Sequence, residues 1–113
     1  MKRLLLVAGL ACALLAPTAG GAMEAIRVSA LRSGAIKIDG AMATIVDLKA
    51  ALERMRAAHG GVMYYREGAE QAPTDAQDSV FKAIMDARLP VSLSSKPDFS
   101  DYIDGDGHSQ PRH

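Results

Sequence analysis

The chain has 113 residues, with 13 Lys and Arg against 13 Asp and Glu, so its formal charge at neutral pH is zero. That balance leaves no electrostatic footprint for nucleic acid. Its one cysteine, Cys12, excludes an internal disulfide framework, and stability has to come from packing.

Met1-Lys2-Arg3 places two cations before an apolar stretch from Leu4 to Leu15, followed by Pro17 and small residues through Ala22. This is the pattern of a secretory signal peptide. The stretch is too short to cross about 30 Å of hydrocarbon, which takes about 20 apolar residues. The expectation is therefore a periplasmic or secreted protein with no stable membrane anchor once the leader, residues 1–22, is cleaved. Gly9 stands where a larger aliphatic residue normally precedes a lipidated cysteine, which argues against lipidation of Cys12. Cleavage after Ala22 leaves 113 − 22 = 91 residues and, without Lys2 and Arg3, 11 cations against 13 anions. A chain of that size buries roughly 60% of its unfolded surface, enough for one modest core.

Ile26, Val28 and Ala30 alternate with Arg27 and Ser29, and beyond Arg32-Ser33-Gly34 the alternation resumes with Ile36 and Ile38 around Lys37. The period of two predicts a hairpin with one wet face, closed by Asp39-Gly40, residues that tolerate left-handed turn geometry. Thr44 and Asp47 stand in capping-box register, and Ile45, Leu48, Leu52 and Met55 then recur at helical spacing, predicting a helix over 45–58 that Gly60-Gly61 stops. Residues 62–65, Val-Met-Tyr-Tyr, are apolar on both faces, as in a central strand. Thr74 and Gln77 repeat the capping register ahead of Val80, Phe81, Ile84 and Met85, predicting a second helix that ends near Arg88. A last strand runs from Val91 to Ser94. Asp104-Gly105-Asp106-Gly107 opens a polar stretch, residues 104–113, expected to be loose in solution.

The element order is ββαβαβ. Strand-helix-strand units cross over right-handed and pair their strands in parallel, and three of the four strands alternate cleanly, so helices should cover one face only. The expected fold is an α/β (α+β) two-layer sandwich: a four-stranded mixed sheet with two helices on one face, within a single domain of residues 23–103.

The stretches "IKIDG", "IVDLKAALERMRAA", "VMYY" and the second helix running into "LPVSLSS" together resemble the periplasmic domain of the ExbD/TolR family of biopolymer transport proteins over roughly residues 25–95. The resemblance implies a domain that dimerises and works beside a proton-driven membrane complex. Family members keep an uncleaved membrane helix carrying an essential aspartate, whereas residues 4–22 here hold no acidic residue, so proton coupling is not carried over. "YYRE" and "SSKPDFSDY" match no family motif, and no family site residue is transferred to them.

In a parallel arrangement the carboxyl ends of the second, third and fourth strands form one rim, where ligands of open sheets favour binding. Asp39, Arg66 with Glu67, and Ser94-Ser95-Lys96 should meet there, beside both helix N-termini. The candidate binding residues are Tyr64, Tyr65, Arg66, Glu67, Ser94, Ser95, Lys96 and Asp98: Arg66 and Lys96 would receive an anion, a tyrosine would supply an apolar wall and Asp98 would orient Lys96. The other reading of the same stretch is structural, with Pro97 stiffening a turn, Asp98 accepting backbone N–H groups, and Phe99 and Tyr102 folding back over the core. No catalytic set is recognisable: Ser94 or Ser95 beside Lys96 cannot meet it along a strand. His59 belongs at a helix end, Asp104 to Gly107 is half of a calcium loop without its distant glutamate, and His108 and His113 are too few for a metal site, so neither metal nor cofactor is expected. The expected function is an exported non-enzymatic protein-binding or adaptor domain whose partner is an envelope protein or a second copy. The alternative is a small-anion or cell-wall ligand-binding module using the rim.

Overall fold

The alternation of Ile26, Val28 and Ala30 with Arg27 and Ser29 gives strand β1 (Ala25–Ala30), with the first three side chains buried in the core. β1 opens the computed structural model, which describes residues 24–112; the expected leader, residues 1–22, lies outside the described residues. β2 (Ile36–Ile38) returns antiparallel to β1 with Val28 opposite Ile38 and Ala30 opposite Ile36. Asp39 and Gly40 then turn the chain with φ of 51° and 86°, the two positive values that a two-residue hairpin loop matched to strand twist requires. That turn starts a strand the sequence does not announce, β3 (Ala41–Ala43), paired antiparallel with β2. Its small, weakly strand-forming residues carry no visible alternation.

Helix α1 (Ile45–Ala57) starts at the Thr44–Asp47 capping box, with both reciprocal bonds formed. Its buried residues, Leu48, Ala51, Leu52 and Met55, form the stripe expected from their spacing. His59, rather than a glycine, takes the left-handed position after the helix, with φ of 55°. Gly60 is needed for room instead: a Cβ there would lie 2.6 Å from the Glu24 carbonyl oxygen. β4 (Gly61–Arg66) follows, parallel to β1 along its whole length. Helix α2 (Asp75–Asp86) starts at the Thr74–Gln77 capping box, and β5 (Val91–Ser94) pairs parallel with β4.

The sheet therefore has five strands in the order β3-β2-β1-β4-β5. This corrects the four-stranded ββαβαβ expectation, while the mixed sheet and the two helices stand. Leu48, Leu52, Val80 and Ile84 pack on Ile26, Val28, Val62 and Tyr64 to make one core. Gln77, 1% exposed, ties α2 to the sheet: its Nε2 donates to the carbonyls of Ala30 and Glu67, both at 2.9 Å, while its Oε1 caps Thr74.

The second correction concerns residues 104–113, expected to be loose. Residues 101–111 instead form a hairpin of β6 (Asp101–Ile103) and β7 (Ser109–Pro111). The carboxylate of Asp104 accepts the backbone N–H groups of Asp106 and His108, both at 2.9 Å, and the Gln110 amide, so it organises the turn. The hydrogen bond from the His108 backbone N–H holds the Asp104 carboxyl below its ordinary range, with help from Gln110. No helix among the described residues is long and apolar enough to cross a membrane.

Candidate functional site

Successive side chains of a strand point to opposite faces of its sheet. On β4 this divides the candidate residues. Val62 and Tyr64 are buried on the helix side, and Arg66 joins Tyr64 in lining a pocket there. Tyr65 and Glu67 line a separate groove on the other face. The eight residues thus do not form one site.

The helix-side pocket, about 400 Å³, lies between α2 and the β4–β5 pair, with Ile103 of the hairpin closing its edge. Its walls are largely apolar: the Tyr64 ring meets Phe81 with centroids 5.5 Å apart, and Leu93 and Pro73 complete them. Tyr64 is 5% exposed, and its hydroxyl is buried without a hydrogen-bond partner among the described residues. Leaving such a group unpaired costs about 1–3 kcal/mol. Burial pushes its pKa up, opposed by the charge of Arg66 and assisted by that of Asp78. The hydroxyl therefore stays protonated at neutral pH. Arg66 donates one hydrogen bond, Nη2 to the Ala69 carbonyl at 2.8 Å, and is in no ion pair among the described residues. Ser94 reaches the same pocket, but its Oγ donates to the Asp101 carbonyl and accepts from Arg112.

The groove on the helix-free face, about 610 Å³, runs across Arg27, Lys37, Tyr65, Glu67, Asp98 and Phe99. Phe99 is 7% exposed although no helix covers it. It packs edge-on against Tyr65, centroids 6.4 Å apart, under the guanidinium of Arg27 at 5.9 Å. Its backbone adopts φ of 60°, a conformation that costs a bulky residue about 1–2 kcal/mol. The Tyr65 and Arg27 contacts are what the segment gains by seating the ring there. Burial raises the Tyr65 pKa, with Glu67 and Glu70 adding to the effect.

"SSKPDFSDY" is consequently a folded clip over the end of the sheet. Asp98 does not orient Lys96: its carboxylate accepts from Ser100, and this bonding lowers its pKa, with the charge of Lys96 a lesser influence and no ion pair between them among the described residues. Ser95 is taken up by Asp101, which accepts both its backbone N–H and its hydroxyl. Lys96 itself is exposed. The expected rim also changes. β2 runs antiparallel to β1, so Asp39 lies beside Arg27 near the start of β1, exchanging a backbone N–H bond in each direction, and not beside Arg66. Both helix N-termini do lie at the edge where β1 and β4 end, but each is closed by its capping box.

Two residues with large roles were missed. Asp101, 2% exposed, accepts from Ser95 and from Ser109. Arg112 spans the clip, donating to Phe99, Ser92, Ser94 and Asp101 within 2.7–3.1 Å, and stacks over Tyr102. Tyr102-Ile103 leading into Asp-Gly was the available signal, since Asp-Gly after a strand-like run marks a hairpin. Among the described residues no group of three or more His, Cys, Asp or Glu could hold a metal ion.

No family model, curated protein or solved structure matches this chain. Two candidate sites lie on opposite faces of the sheet, one lined by Tyr64 and Arg66 and the other by Tyr65 and Phe99.

Proposed function

We propose that the chain is an exported, non-enzymatic protein-binding domain, similar to the periplasmic part of ExbD/TolR transport proteins but without their proton coupling, that takes an envelope protein on the helix-free face of its sheet. The observation that carries this reading is the groove over Tyr65 and Phe99. It has an aromatic floor, cations from Arg27 and Lys37, and anions from Glu67 and Asp98. Protein interfaces concentrate their energy in such aromatic centres ringed by polar groups. The partner of best fit presents an apolar side chain to the floor and charges of both signs around it.

A photo-crosslinking residue at Lys37, compared with one at the exposed Lys82 on α2, tests the reading in intact cells. One defined envelope protein should be captured from position 37 and not from position 82. Equal capture at both positions, or capture of a second copy alone, defeats the envelope-partner reading.

A further inference from the structure

The pocket behind β4 lies on the opposite side of the sheet from the proposed protein groove, and its chemistry is different. The Tyr64 and Phe81 rings, in contact with each other, line it, with Leu93 and Ile103 at the β5 edge. Two residues of its lining, Tyr64 and Arg66, carry polar groups with hydrogen-bonding capacity to spare. The Tyr64 hydroxyl is buried and has no hydrogen-bond partner among the described residues. The Arg66 guanidinium has five N–H donors, of which the Ala69 carbonyl takes one. That same bond holds the guanidinium at the pocket wall. A planar fork of donors suits a carboxylate in a bidentate pair, and a phenol O–H can donate to the same anion. Asp78, also in the lining, disfavours a second negative charge. The volume, about 400 Å³, falls in the range of small-molecule sites.

We propose that this pocket binds a small amphipathic monocarboxylate, with the carboxylate on Arg66 and the Tyr64 hydroxyl and the apolar body against Phe81, Leu93 and Ile103. The ligand gives the orphaned hydroxyl its partner and covers the exposed part of Phe81 and Leu93. The buried polar atom makes this a built site: a pocket shaped only by packing would be served equally well by phenylalanine at position 64.

The test titrates the 15N-labelled protein with 3-phenylpropanoate, with its neutral amide and with phenyl phosphate. Saturable shifts should centre on Tyr64, Arg66, Phe81 and Leu93, with the amide and the phosphate each weaker by about tenfold or more, the scale of one charge-assisted contact. Arg66→Gln should weaken the carboxylate by a similar factor. Tyr64→Phe should weaken it several-fold while leaving the thermal midpoint unchanged or higher, because it removes an unpaired buried group. The proposal is overturned by amide binding equal to the acid, by shifts on the Tyr65 face, by absence of saturable shifts with the carboxylate, or by a Tyr64→Phe variant that loses stability and keeps its affinity. None of these results bears on crosslinking at Lys37, which reports the other face.

Discussion

Asp101 bridges β6 to both of its neighbours, and the hydrogen bonds that do so also set its acidity. The Ser109 hydroxyl, the Ser95 hydroxyl and the Ser95 backbone N–H all donate to its carboxylate, and together they lower its pKa from 3.8 to about 2. A carboxylate whose folded pKa is depressed contributes stability above its unfolded pKa, and that contribution is lost as pH falls through the folded value. Urea midpoints should therefore fall between about pH 4 and pH 2, and Asp101→Asn should flatten that part of the profile while lowering the midpoint at neutral pH. A variant profile parallel to that of the wild type across this window would assign the acid sensitivity elsewhere. Gln77 is the second decisive residue. Gln77→Ala strands the Glu67 carbonyl and uncaps Thr74, at a cost of about 2–3 kcal/mol, readable as a drop of roughly 10 °C or more in the thermal midpoint. Its role in the capping box is visible in the spacing from Thr74. Its amide bonds to Ala30, 47 residues away, depend on tertiary placement and are not.

At the level of elements, what sequence reveals is governed by how local the cause is. Both helices are legible because each carries its start signal and its stripe within a dozen residues. Thr44→Ala should accordingly cost about 1 kcal/mol, measured by chemical denaturation, and Thr74→Ala should cost more, because it leaves the backbone N–H of the buried Gln77 without its acceptor. β1 and β4 are legible by alternation and by β propensity. β3 is not, because Ala-Met-Ala owes its strand state to the two positive φ angles before it and to pairing with β2. The C-terminal hairpin was hidden for another reason. Its residues are polar, and polarity argues for solvation only until those groups are paired, as Asp101, Asp104 and Arg112 are. Tyr64, Tyr65, Arg66 and Glu67 are adjacent in sequence, and the pleat sends adjacent residues to opposite faces.

For the whole molecule, these pairings imply two levels of stability. The core of Val28, Leu48, Val62 and Ile84 contains no residue from the hairpin, whereas the hairpin is joined to the sheet largely by polar bonds to Ser92, Ser94 and Ser95 and by Phe99. Segments held by few apolar contacts open at lower free energy than the core. Hydrogen exchange should show amides of 101–112 opening below the global unfolding energy, with the amides of β1 and β4 at that limit. Arg112→Ala removes a side chain that donates to Phe99, Ser92, Ser94 and Asp101, and should speed exchange in the hairpin while leaving β1 and β4 at their wild-type limit. Because Arg112 also holds the Phe99 carbonyl, the same variant should free the ring from Tyr65 and open the helix-free groove. If protection fell by the same amount in β1, β4 and the hairpin, the clip would be part of one cooperative unit, and the groove could not open without the core.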